Sequence, residues 1–229
     1  LSFTVEQGQI YGFLGPNGAG KSTTMNIMTG YIGATSGEVL INGHDILKKP
    51  ALAKKSIGYL PEIPPLYTDM TVIEYLKFAA ELKKVPKKEI AEAVEEVIEM
   101  VQLEDVKLRL IKNLSKGYKQ RVGFAQAIIG LPEIIILDEP MVGLDPKQII
   151  EIRELIRELA KNHTVILSSH ILAEVREVCD HILIISKGKL VASDTPENLE
   201  KLMDQTETIT LEVEAEQEVV EQVLKSLEK

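Results

Sequence analysis

The chain predicts an α/β fold, a parallel sheet wrapped by helices, and three observations carry that prediction. The segments Ile134–Leu137, Thr164–Leu167 and His181–Ile185 are short, continuous and apolar, the pattern of strands covered on both faces. Between the first two lies a helical stretch from about Pro146 to Lys161, with Asp145 placed to cap it and Pro146 in its first turn. Near the start, the apolar run Ile10–Leu14 enters a glycine-rich turn and then a helical segment, Lys21–Thr29, stopped by a C′ glycine at Gly30.

Taken in order, Leu1–Glu6 alternates apolar and polar residues and predicts a strand. Gly15–Ser22 then spells G-x-x-x-x-G-K-S, a loop whose backbone N–H groups turn inward on a polyphosphate. That geometry asks for positive φ and no Cβ in the way, hence Gly15, Gly18 and Gly20, with Pro16, Asn17 and Ala19 between them. Lys21 brings a compact charge to the β- and γ-phosphates, the Ser22 hydroxyl can ligate Mg²⁺, and Thr23 continues the helix. The helix starts beneath the phosphates with the positive end of its dipole toward them. A chain with this loop binds ATP or GTP.

Asn42-Gly43 marks a hairpin turn after the strand around Val39–Ile41, and Ile57–Leu60 is a further strand that ends at Pro61. From Thr71 to Leu103 the periodicity becomes helical: Val72, Tyr75, Leu76 and Ala79 share one face, and Ile90, Val94, Val97, Ile98 and Val101 another. Thr195-Pro196 opens a short last helix through about Leu202. Beyond it Thr208–Val213 alternates like a strand and Glu216–Lys229 is a charged amphipathic helix, which together predict the start of a truncated accessory domain over 204–229.

Composition narrows the function. The chain has 229 residues, 45% of them hydrophobic, and 26 basic against 35 acidic side chains for a net charge of −9. That balance disfavours a nucleic-acid surface, which needs clustered Lys and Arg. No apolar run approaches bilayer length, and no signal-peptide pattern opens the chain. The single Cys179 excludes an internal disulfide and suits a reducing compartment, so a soluble intracellular protein is expected. The first residue is Leu1 rather than Met, and further residues upstream are expected.

Three further clusters carry chemistry. The strand Ile134–Leu137 delivers Asp138 and Glu139 at its end, one suited to hold Mg²⁺, the other to polarise an attacking water. Asn113–Arg121 leads into an apolar helix, Val122–Ile129, with Ser115 as N-cap and Gly117 expected to leave its N–H exposed as a second anion site. Ser168-Ser169-His170 follows a strand and brings an imidazole to the sheet edge, while His44, His163 and His181 read as structural.

These motifs, in this order, resemble the nucleotide-binding subunit of an ABC transporter over essentially all of residues 1–203. Gly15–Thr23 is similar to Walker A, Gly58–Glu62 to the Q-loop, Leu114–Arg121 to the signature motif, and Ile134–Glu139 to Walker B. Gly143–Asp145 resembles the D-loop, and His170 the switch histidine. Three positions depart from the family pattern: Glu62 replaces the Q-loop glutamine, Lys116 the first signature glycine, and Tyr118 the signature glutamine. Such variants resemble the exporter-type branch. The adenine-stacking aromatic of the family would fall before Leu1.

The resemblance implies a phosphate-loop NTPase core of the RecA-like kind with an antiparallel β lobe, over 1–62 and 131–203, and an inserted helical subdomain over 63–130. It implies ATP and Mg²⁺ as cofactors, with ATP held by Gly15–Thr23, with Ser22, Asp138 and Glu62 around the metal and with Glu139, His170 and Lys21 around the reaction. It implies a head-to-tail dimer of like or unlike nucleotide-binding domains, in which Ser115, Gly117 and Asp145 complete the partner's ATP site. Integral membrane permease subunits would be the partners, and the cytoplasmic face of the cell membrane the location. The alternative is a non-transport relative acting on DNA or ribosomes; such proteins carry a long coiled coil or two tandem cassettes, and this chain shows neither.

Overall fold

The computed structural model describes residues 1–204 and residue 220. In chain order these form β1 (Ile10–Leu14), α1 (Lys21–Met28), β2 (Leu40–Ile41), β3 (His44–Asp45), α2 (Pro50–Lys55), β4 (Ile57–Leu60), α3 (Val72–Leu82), α4 (Ile90–Met100), α5 (Lys116–Ile128), β5 (Ile134–Leu137), α6 (Pro146–Ala160), β6 (Thr164–Ser169), α7 (Leu172–Val178), β7 (His181–Ser186), β8 (Lys189–Asp194) and α8 (Pro196–Asp204). The chain divides into two units, Leu1–Pro196 and Glu197–Lys229, and within the second α8 is the described helix.

The apolar runs pair as expected of a covered sheet. Its order is β4-β5-β6-β1-β7-β8, parallel from β4 to β7, with β8 antiparallel at the edge. Register aligns the C-terminal ends: Leu60 stands beside Leu137, Leu137 beside Leu167, and Leu14 beside Ser169. Everything the sequence places just after those strands therefore converges on one edge of the sheet, the usual place for a ligand in open α/β folds.

β1 shows how the two faces are filled. Tyr11 and Phe13 point into a core with Met25, Met28, Ile136, Ile166 and Leu183. Phe13 and Met25 are fully buried, worth about 1.5–3 kcal/mol each. Gly12 faces the other way, where a Cβ would lie 2.7 Å from Cys179 Sγ and 3.1 Å from Val175 Cβ; only a residue without a side chain lets α7 and the segment after it approach this closely.

β2 and β3 form a separate antiparallel pair across the Asn42-Gly43 turn, where both central residues have positive φ (49° and 74°), the type I′ signature. α3 opens on a capping box, the Thr71 hydroxyl accepting from the Glu74 N–H while the Glu74 carboxylate accepts from the Thr71 N–H. Its buried stripe Val72, Tyr75, Leu76 and Ala79 packs with Val94, Val97 and Ile98 of α4 and with α5, which also packs on β4.

One expectation needs correction here, and one strand was missed. Leu1–Glu6 forms no strand: Phe3 and Val5 are half-buried against the core, Phe3 edge-on to Phe13 at 5.1 Å, but no ladder hydrogen bonds to them occur among the described residues. Alternation reported which side chains face inward, and that alone does not supply a pairing strand. β8 went unread although Lys187-Gly188 before it is a turn of positive φ at both residues. The strand and helix expected over Thr208–Val213 and Glu216–Lys229 lie outside the described residues, Val220 excepted.

Candidate active site

The loop between β1 and α1 is built by its glycines, though not all for the expected reason. Gly18 and Gly20 have φ of 77° and 107°, the left-handed region that a side chain disfavours. Gly15 does not have positive φ; a Cβ there would lie 2.3 Å from the Ile185 carbonyl oxygen, so close approach of β7 is what requires glycine. Pro16 and Ala19 close a turn through an N–H···O bond of 3.1 Å, and the Gly188 N–H donates to the Ala19 carbonyl at 2.9 Å. α1 begins at Gly20 without any side-chain cap, so the N–H groups of its first turn keep their donor capacity for an anion.

Lys21 is buried, and its ammonium points back into the loop, donating to the Gly15 carbonyl at 2.8 Å and lying 3.3 Å from Glu139 Oε1. The other oxygen of the same carboxylate, Oε2, is 3.0 Å from His170 Nδ1. Glu139 itself is 7% exposed and has φ of 48°, an uncommon conformation for a residue with a side chain. Asp138, directly before it, accepts from the Ser22 hydroxyl at 3.2 Å and from the Ser168 hydroxyl at 2.6 Å. A cleft of about 480 Å³ is lined by Asn17, Gly18, Gly20, Lys21, Ser22, Thr23, Glu62, Glu139, Val142 and His170. The phosphate loop, the Walker-B-like carboxylates, Glu62 and His170 thus come together, from four separate stretches of sequence.

Ser115, Gly117 and Asp145 are not among the residues lining that cleft. Ser115 caps α5, accepting from the Tyr118 N–H at 3.4 Å, and Asp145 caps α6, accepting from the Gln148 N–H at 2.9 Å. Gly117 is a correction: it is buried, not exposed, with the Gln148 carboxamide so close that a Cβ would be 2.6–2.7 Å from it. A helix-start glycine reads as open to solvent only if nothing packs over it, and the first turn of α6 does. Of the histidines read as structural, His163 is buried and its Nδ1 lies 2.6 Å from the Pro132 carbonyl, His181 packs against Tyr11, and His44 is half-buried in β3.

Sequence reasoning missed Ser168 and Tyr59. Tyr59 donates to Asn26 Oδ1 at 3.2 Å, tying β4 to α1; burial, with the nearby Asp138 charge adding, pushes its phenol up to about 12. A strand residue two positions before Pro61 offered no signal of this, because the partner lies in a different element.

The donor chemistry at Ser22 and Asp138 fits a small hard cation. Two oxygens 3.2 Å apart suit an ion that takes few protein ligands and completes its shell with phosphate oxygens and water. Among the described residues no cluster of three or more His, Cys, Asp or Glu side chains could hold a metal by itself.

A parallel sheet, a phosphate loop at its edge and two carboxylates facing that loop define a nucleoside-triphosphate-binding protein. Comparison with known proteins makes this specific. The ABC transporter family profile matches residues 1–142. The bacitracin transport ATP-binding protein BcrA of Bacillus licheniformis is 43% identical over 203 residues, covering 88% of this chain and 65% of that protein. Among solved structures, cbiO1 from Clostridium perfringens, part of the ABC transporter complex cbiONQ, aligns with a TM-score of 0.80 at 28% identity, over 99% of this chain and 87% of that one. A dimeric post-hydrolysis state of an ATP-binding cassette bound to ADP and Pi aligns with a TM-score of 0.77 at 25% identity, over 85% and 88%. The chain belongs to the ABC transporter family and is similar to its ATP-binding proteins. It spans just under two thirds of the length of the bacitracin relative.

Proposed function

We propose that this chain hydrolyses ATP as one half of a head-to-tail dimer and drives transport, in the export direction, through separate integral membrane subunits. The observation that carries the reading is the Glu139 carboxylate, held between Lys21 Nζ at 3.3 Å and His170 Nδ1 at 3.0 Å on the wall of the phosphate cleft. A carboxylate so fixed can accept the proton of a water attacking the γ-phosphate. His170 orients it, and Lys21 exchanges its carbonyl contacts for phosphate oxygens and spreads the charge that develops on them. Ser22 and Asp138 would hold Mg²⁺, with Glu62 at the rim of the same cleft. That ion would neutralise phosphate charge and fix the angle of attack.

Ser115 at the N-terminus of α5 and Asp145 at that of α6 face a partner copy in this reading and complete the partner's ATP site, while Gly117, buried under Gln148, supports that helix start without facing the partner. Support comes from their absence from the chain's own cleft and from the dimeric relative. ATP then favours the closed pair because both faces contact it, and hydrolysis removes that preference. The core over 1–62 and 131–203 carries the chemistry, the helical segment 63–130 carries motion to the permease, and 204–229 begins an accessory domain. The bacitracin relative's name supports transport, and the Glu62, Lys116 and Tyr118 variants support export; no helix among the described residues is long and apolar enough to cross a membrane, which suits a peripheral subunit at the cytoplasmic face. A net charge of −9 gives nucleic acid little to bind.

Glu139→Gln tests the assignment. Loss of a positioned general base costs about 10²–10⁴-fold in turnover; ATP affinity should persist and an ATP-dependent dimer should accumulate in size-exclusion chromatography. Lys21→Ala should lose affinity as well as turnover. Wild-type hydrolysis by Glu139→Gln would move the base elsewhere. Co-purification of the chain with a ribosome or DNA instead of a membrane protein would support the non-transport alternative.

A further inference from the structure

Ser168 sits at the end of β6 with no solvent exposure. A buried hydroxyl must be satisfied as donor and acceptor, and here both bonds go to one dipeptide. The hydroxyl donates to Asp138 Oδ1 at 2.6 Å and its oxygen accepts the Glu139 N–H at 2.8 Å. The polarity is fixed, since an ionised carboxylate only accepts and an amide N–H only donates.

Each bond does something separate. The Glu139 N–H lies beyond the β5–β6 ladder, in which Leu137 beside Leu167 is the last registered pair, and the residue then takes φ of 48°. The Ser168 oxygen takes over where the ladder ends and so holds a conformation costly for a residue with a Cβ. The other bond occupies the same Asp138 oxygen that receives the Ser22 hydroxyl, so it fixes the carboxylate's rotation toward Ser22. Ser169, its neighbour, serves the opposite side: its hydroxyl donates to the buried Glu174 at 2.5 Å and accepts the Ile171 N–H.

We propose that Ser168 is a positioning residue for hydrolysis, a single hydroxyl that sets both the metal-facing rotamer of Asp138 and the backbone turn that aims Glu139. The proposal rests on the roles assigned above to Asp138 and Glu139. Ser168 itself is not among the residues that line the cleft.

The test compares Ser168→Ala, Ser168→Cys and Ser168→Thr in the full chain. Cysteine nearly preserves volume while its S–H is a weak donor, so it keeps the test valid if the alanine variant folds poorly. Two quantities are read: kcat and KM for ATP, and the Mg²⁺ concentration at half-saturation when a non-hydrolysable ATP analogue binds. Removing a bond that orients a metal-ligating carboxylate costs about 10–100-fold in metal affinity or activity. The expected result is a kcat lower by about that factor in the Ala and Cys variants, a Mg²⁺ requirement raised at least several-fold, analogue binding without Mg²⁺ unchanged, and recovery of both in Ser168→Thr. A Mg²⁺ requirement and kcat within twofold of wild type, while Asp138→Asn and Glu139→Gln are inactive, would overturn the proposal. So would a loss in metal-free analogue binding equal to the loss in activity, which marks general damage. If Asp138→Asn and Glu139→Gln are themselves active, the reading beneath it fails instead.

Discussion

Gly58→Ala drives a methyl group into the seam between β4 and α5, and the distances allow its cost to be worked out. An ideal Cβ at Gly58 lies 2.2 Å from the Ala127 carbonyl oxygen and 2.8 Å from Pro132 Cγ. Ordinary carbon–oxygen contact is about 3.3 Å, so roughly 1 Å must be recovered. The obstructing atom is helix backbone and cannot swing aside, and β4 cannot retreat because Gly58 is registered on Ile135 in the parallel ladder. Overpacking of this kind costs about 1–3 kcal/mol, and a backbone obstruction belongs at the top of that range. Alanine returns about 0.4–1 kcal/mol through a less free unfolded chain. A net loss of about 2 kcal/mol follows, or about 4–8 °C in Tm for a domain of this size. Urea denaturation with unchanged m-value measures it. Gly37→Ala is the control: its φ is 86° but no atom lies within 4 Å of the added Cβ, so only about 1 kcal/mol of backbone strain is expected. Because Leu60, two residues on, accepts the Asp138 N–H at 2.8 Å, hydrolysis should fall in Gly58→Ala as well. A Gly58→Ala chain no less stable than Gly37→Ala would refute the claim that this seam has no slack.

Two more outcomes are fixed by burial. Cys179 is buried and its thiol pKa is pushed far up by loss of solvent, so the thiolate that reacts with iodoacetamide is not formed near neutral pH; labelling should occur only in denaturant, and labelling of the native chain at the rate of a free thiol would contradict the packing against Gly12. Burial raises the phenols of Tyr59 and Tyr75 to about 12 from 10.0, so the folded state holds their protons more tightly than the unfolded chain. The stability they contribute is complete below pH 10 and is lost as pH rises from 10 toward 12; Tyr59→Phe and Tyr75→Phe should flatten that alkaline decline in denaturation midpoints, and an unaltered slope in the double variant would contradict it.

What could be read from the sequence was what local chemistry dictates. The phosphate loop, the Asn42-Gly43 turn, the caps at Ser115 and Asp145 and the stripes of α3 and α4 each rest on residues a few positions apart. So did the delivery of Asp138 and Glu139 by an apolar strand. What escaped depends on partners far along the chain. The strand order, with β1 between β6 and β7, has no local signature. Gly117 reads as open until Gln148 of α6 is seen over it, and Gly15 reads as a positive-φ residue until β7 is seen against it. Nothing local marks Ser168, because its two bonds reach across about thirty residues to the dipeptide that follows another strand.

β4 and β5 are hydrogen-bonded neighbours, yet the chain leaves the sheet between them and returns only after α3, α4 and α5. An excursion that departs from and re-enters the same gap is a closed loop, and each doubling of its length costs only about 0.6 kcal/mol in closure entropy. The outer helices of that excursion can lengthen, shrink or be exchanged over generations while Gly58 stays opposite Ile135 and Asp138 keeps its place. The outer helices and the phosphate-handling edge are thereby separable in closure cost, while the tight seam of Gly58 against α5 remains the point through which a change in one stretch reaches the other.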